Sequence, residues 1–167
     1  MPFSIMQTDI TILHVDAIVN SANMHLVMGS GVSKDIFLAA GKERLQGACD
    51  AVSPVETGQA ALTPGYNLPC KYVIHAVGPI YHAERDEECR QLLYSAYMSS
   101  LKLARKAECK SIAFSLIACG VYGYPKDKAI LIASSAIHDF LKTNDMDVIL
   151  VLHDRETYEL AKEKLNL

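Results

Sequence analysis

Val15-Asp16-Ala17-Ile18-Val19-Asn20-Ser21-Ala22-Asn23 runs directly into Met24-His25-Leu26-Val27-Met28-Gly29-Ser30-Gly31-Val32. Ala17-Ile18-Val19 reads as a strand covered on both faces, because a short apolar run rich in β-branched residues suits a buried parallel strand. The polar residues after it mark the strand's carboxyl end, where Asn20 and Asn23 are expected to open onto solvent. Two glycines flank Ser30, and Val32 to Ala40 reads as a helix. Strand, glycine turn and helix together present free backbone N–H groups and a positive helix end to an anion. A phosphate-bearing ligand is the first expectation.

Two familiar phosphate loops do not fit. The dinucleotide pattern G-x-G-x-x-G starts at Gly29 and Gly31, but Lys34 holds its third glycine position. A P-loop needs glycine directly before the lysine, and Ser33 stands there.

The chain has 167 residues, 50% of them hydrophobic, enough for one domain over 1–167 with a substantial core. A net charge of −3 without a basic run argues against nucleic acid as partner. The start lacks the basic and apolar segments of a signal peptide, and no apolar run is long enough to cross a bilayer. Cys49, Cys70, Cys89, Cys109 and Cys119 are odd in number and scattered, which favours reduced thiols in a cytoplasmic protein. No motif calls for a metal or a cofactor.

Outward from the opening stretch, Phe3 to Gln7 reads as a strand leading to Asp9, which either caps a local turn or accepts from a ligand amine. Further strands are expected at Ala60 to Thr63, Tyr72 to Val77, Ser111 to Ser115 and Val148 to Leu152. Beyond the first helix, helices are expected at Lys42 to Val52, Glu87 to Glu108, from Pro125 in the first helical turn, and from an Asp154 cap. His75, inside a strand, reads as a hydrogen-bonded core residue. A second small-residue turn runs from Ala118 to Tyr124. This recurrence describes an α/β domain with helices on both faces of a largely parallel sheet. Ligands in such sheets settle beyond the carboxyl ends of the strands, where both glycine turns fall. Two amide-bearing turns suit a diphosphate better than a single phosphate.

Val15 to Asn23 resembles the V-D-A-I-V-N-A-A-N core of macrodomains, and Thr8-Asp9-Ile10-Thr11 resembles their G-D-I-T opening. Thr63 to Pro69, Tyr72 to Pro79 and Gly120-Val121-Tyr122-Gly123-Tyr124-Pro125 match the family's later motifs in order. The resemblance implies a three-layer α/β/α sandwich with a mixed, largely parallel central sheet and a cleft for ADP-ribose or an ADP-ribosylated protein. It places Asp9 and Ile10 at adenine and His153 where an aromatic packs on that base. Gly29, Ser30, Gly31 and Val32 would cradle the diphosphate from one side, with Ala118, Cys119, Gly120, Val121 and Tyr122 closing from the other. Asn20 and Asn23 would address the distal ribose.

Some members of the family only bind ADP-ribose; others hydrolyse it from protein carboxylates or deacetylate O-acetyl-ADP-ribose. The MacroD-like hydrolytic branch reads G-G-G-V-D-G-A-I-H where this chain has Gly29-Ser30-Gly31-Val32-Ser33-Lys34-Asp35-Ile36-Phe37. Ser33 can orient a water but cannot act as a carboxylate base, and Lys34 could stabilise a departing carboxylate. Asp35 lies about 200° around the helix from Ser33 and reads as a poor substitute. The expected catalytic set is therefore Asn23, Ser33 and Lys34, with a non-catalytic ADP-ribose reader as the alternative. A Cys119-dependent hydrolase or phosphatase, a nicotinamide oxidoreductase, binding of poly(A) or RNA ends (against which the acidic balance argues) and a structural pair of turns are the remaining readings.

Overall fold

The protein is described here by a computed structural model covering residues 2–167. Its strands are β1 (Phe3–Gln7), β2 (Ala17–Ala22), β3 (Ala60–Pro64), β4 (Tyr72–Val77), β5 (Ser111–Phe114) and β6 (Asp147–Leu152). Its α-helices are α1 (Val32–Ala40), α2 (Lys42–Val52), α3 (Asp86–Lys106), α4 (Lys126–Leu141) and α5 (Arg155–Leu165). One sheet runs in the order β1-β6-β5-β2-β4-β3, with every neighbouring pair parallel except the antiparallel β3–β4 edge.

β2 sits inside the sheet, paired with β4 through Ala22↔Val77 and with β5 through Val19↔Phe114. Its side chains alternate between two cores. Ala17 and Val19 pack with Ile74, Ile112, Phe114 and Leu150 under α3 and α4, while Ile18 and Ala22 pack with Val73, Val77 and Ala113 under α1 and α2. The sheet is thus sandwiched between helical layers. Among the described residues no helix is long and apolar enough to cross a membrane.

Two expectations need correction. β2 does not end at Val19: pairing with β4 carries it to Ala22, so Asn20 lies inside the strand and is 1% exposed. The alternation sends it inward beside Ile18 instead of out to solvent. Pro125 does not occupy the first turn of α4 but caps it. Its extended ψ of 127° precedes the helix and its carbonyl accepts from Ala129 N at 2.9 Å.

His75 is a core residue, fully buried on β4. Asn20 Nδ2 donates to His75 Nδ1 at 3.2 Å, so the neutral ring keeps its proton on Nε2, facing Thr63 Oγ1 at 3.0 Å. Cys49 Sγ lies 3.6 Å from the same nitrogen. Burial lowers the His75 pKa from 6.5 to about 4.

The folded pKa lies below the unfolded one, so the unfolded chain takes up this proton first. The contribution to stability is complete above pH 6.5 and is lost as pH falls toward 4. Urea unfolding of wild type against His75→Gln should show wild type losing about 3 kcal/mol relative to the variant across that window. Parallel pH profiles would contradict the neutral buried imidazole.

Candidate functional site

Most residues singled out from the sequence meet in one cleft of about 510 Å³ at the carboxyl ends of the strands. Asp9 and Ile10 reach it from the turn after β1, Asn23, Gly29, Ser30 and Gly31 from the loop between β2 and α1, and Val32 and Ser33 from the first turn of α1. Ala118, Cys119, Gly120, Val121 and Tyr122 come from the loop after β5, and His153 from the end of β6.

The first loop is held by its own side chains. Asn23 Oδ1 accepts from Val27 N at 3.1 Å while its Nδ2 donates to Val27 O at 3.0 Å. Ser33 Oγ accepts from Gly29 N at 3.2 Å. From α2, Gln46 Nε2 donates to Leu26 O at 3.1 Å and its Oε1 accepts from Met28 N at 3.3 Å. Gly31 turns the chain into α1 at φ 60° and ψ −131°, a conformation only glycine adopts without strain. It caps the helix with no side-chain hydrogen bond, so the first N–H groups of α1 remain available to an anion.

The second loop hangs from different elements. Ala118 N donates to Ser21 Oγ at 3.0 Å, Ile117 N to the Tyr97 hydroxyl at 3.0 Å, and Tyr81 N to Tyr122 O at 2.9 Å. Tyr81 in turn donates through its hydroxyl to Asp86 at 2.7 Å, which also accepts from Lys128 at 2.9 Å. Gly78 passes close beneath the loop: a Cβ there would stand 2.8 Å from Ile117 and 2.9 Å from Ala118. Val121, 89% exposed, forms the outer lip.

Three of the expected assignments change. Asn20 does not line the cleft, being held in the core by His75. Lys34 is exposed and lies outside the cleft. At about 100° per residue it projects about 200° past Val32, whose side chain faces the cavity. The same rotation brings Asp35 to within about 60° of Val32, and Asp35 does line the cleft. Its direction relative to Val32, not to Ser33, decides where it points.

Asp9 performs the local task, its Oδ1 accepting from Thr11 N at 2.9 Å and Thr11 Oγ1 at 2.7 Å, while still lining the cleft. Sequence reading did not place Ser21, Leu116, Lys126, Asp154 and Thr157 at the site. Their legible signal was position: each lies at the end of a strand or the start of a helix at the same rim. Asp154 caps α5 through Thr157 N at 2.8 Å and Thr157 Oγ1 at 3.0 Å, and those bonds depress its pKa. Among the described residues, no group of three or more His, Cys, Asp or Glu side chains is arranged to hold a metal.

Burial pushes the Cys119 thiol up to about 12, outweighing the lowering influence of Lys126. That is the opposite of what a nucleophilic cysteine needs, and it argues against the Cys119-dependent reading.

The Macro domain family pattern matches residues 19–133. The chain is 44% identical over 161 residues to the ADP-ribose glycohydrolase MACROD2 of Xenopus laevis, covering 95% of this chain but 38% of that longer protein. Its fold matches the Oceanobacillus iheyensis macrodomain with ADP at a TM-score of 0.92 and 35% identity, covering 98% of this chain and 90% of that one. The Trypanosoma brucei macrodomain in complex with ADP-ribose matches at 0.88 and 33% identity, covering 98% and 68%.

Iodoacetamide should label Cys119 at pH 7.5 far more slowly than a free model thiol, and Cys119→Ser should retain ligand binding. Rapid labelling at neutral pH would show that the thiol is activated after all.

Proposed function

This chain belongs to the Macro domain family, and from that premise we propose that it binds ADP-ribose in the rim cleft and hydrolyses ADP-ribosyl esters slowly. The carrying observation is the convergence of two separately anchored glycine loops on one cavity of about 510 Å³, a size in the range of small-molecule sites. In this reading Asp9 accepts from the adenine amine through its free Oδ2, and Ile10 and His153 pack against the base. The N–H groups of Ser30 to Val32 and of Gly120 to Tyr122 receive the diphosphate. Asn23 and Tyr122 meet the distal ribose. Each loop bond described above orients these donors before the ligand arrives, which lowers the ordering cost of binding.

For hydrolysis, water attacks the anomeric carbon and the bond from that carbon to the carboxylate oxygen breaks. The carboxylate leaves as an anion and needs no proton from the protein. Asn23 holds the water with the donor and lone pair that Val27 does not use. The water's proton passes to a diphosphate oxygen of the ligand, because Ser33 offers no carboxylate to take it. O-acetyl-ADP-ribose is a further substrate, on which the water attacks the acetyl carbonyl carbon instead. The acyl C–O bond breaks, and the water's proton ends on the departing ribose oxygen as acetate is released. No cofactor is required. The absence of a carboxylate at Ser33 slows turnover without removing a ligand contact, so in this reading ADP-ribose recognition is the dominant activity.

Calorimetry with ADP-ribose should give saturable binding, and a null result at millimolar ligand would defeat the reading. On a carboxylate-ADP-ribosylated protein, Ser33→Asp should raise turnover by about 10²-fold, the typical worth of a positioned base. Asn23→Ala should lower turnover more than it lowers ADP-ribose affinity. Equal losses would reduce Asn23 to a loop brace.

A further inference from the structure

The charges facing the cleft are unevenly matched to an anionic ligand. Asp9, Asp35 and Asp154 line it, and Lys126 is the single Lys or Arg that does so among the described residues. A diphosphate adds two further negative charges, which backbone dipoles offset only in part. Lys126 is also uncommitted. Lys71, Lys128 and Lys142 each lie within 4.0 Å of a carboxylate, whereas among the described residues Lys126 has neither an ion pair nor a side-chain hydrogen bond. Its neighbour Asp154 has both oxygens engaged by Thr157.

The location of Lys126 is specific. It opens α4, whose N-terminus carries no side-chain cap, directly after the second loop. Its charge acts on Cys119 in that loop and on Asp154 at the start of α5. Lys126 lines the cleft together with Ala118 to Tyr122 of that loop and with His153 and Asp154 at the start of α5. An ADP-ribose laid along the cleft presents its adenosine ribose and inner phosphate there.

We propose that Lys126 recognises a phosphate on the adenosine half of the ligand and so selects phosphorylated adenosines over neutral ones. This rests on the reading of the cleft as an ADP-ribose site. The phosphate is either the inner one of the diphosphate or one esterified to the adenosine ribose, and both present the same anionic oxygens to the ammonium group.

Calorimetry of wild type, Lys126→Met and Lys126→Arg with adenosine, AMP, ADP-ribose and ADP-ribose 2′-phosphate tests the assignment. Lys126→Met should bind AMP and ADP-ribose about tenfold more weakly, the scale of one charge-assisted hydrogen bond, with adenosine unchanged. Its affinity should also depend less on salt, and Lys126→Arg should recover most of the loss. A loss confined to the 2′-phosphorylated ligand also supports the proposal and puts the phosphate on the ribose. Equal loss with adenosine, or no loss with any phosphorylated ligand, overturns it. A wild type that ignores ADP-ribose yet binds AMP through Lys126 would sink the ADP-ribose reading alone. A wild type that binds none of the four sinks both.

Discussion

The two-sided burial of β2 is the constraint from which the rest of the molecule follows. Ala17, Ile18 and Val19 are at most 1% exposed, and the strand is paired in parallel on both edges. A strand so enclosed cannot present side chains to solvent along its length, so its chemistry is confined to the point where it emerges. Ser21, Ala22 and Asn23 are that point, and all line the cleft. The burial of β2 also demands an apolar face in each helical layer, which is why the two cores are separate and both reach the rim.

Much of the architecture was legible from apolar periodicity and turn chemistry. α1 and α2 begin and end where the pattern placed them, because Gly41 breaks an otherwise continuous helical run. β4 and its buried histidine were equally plain. The failure at Asn20 has a definite cause. A polar residue after an apolar run reads as a strand's end, but here His75 on the neighbouring strand accepts from the Asn20 amide nitrogen inside the core, while the amide oxygen stays buried without a partner. His75 lies 55 positions away and only the sheet register reveals it.

At the site, the glycine loops were readable because turns that bring backbone close to a cavity leave a mark in residue size, and both line the cleft. The charged members were less so. Lys34 and Asp35 are adjacent in sequence, yet one faces solvent beyond the cleft and the other lines it. The difference is a rotation about the axis of α1, and its zero is set by which residue of the first turn packs inward. Lys126 was missed for a similar reason: a lysine opening a helix has no distinguishing pattern until the loop before it is known to fold over a cavity.

The two jaws of the cleft are rooted in different cores. Leu26 and, beside it, Met28 and Val32 belong with α1 and α2, whereas Ala118, Cys119 and Tyr122 belong with α3 and α4. A ligand gripped by both jaws therefore rivets the front layer of the sandwich to the back across the sheet's edge. Its binding energy resists any opening that separates the layers and is not confined to two surface loops. Occupancy would accordingly strengthen the whole domain against unfolding, including amides of the central strands far from the cavity.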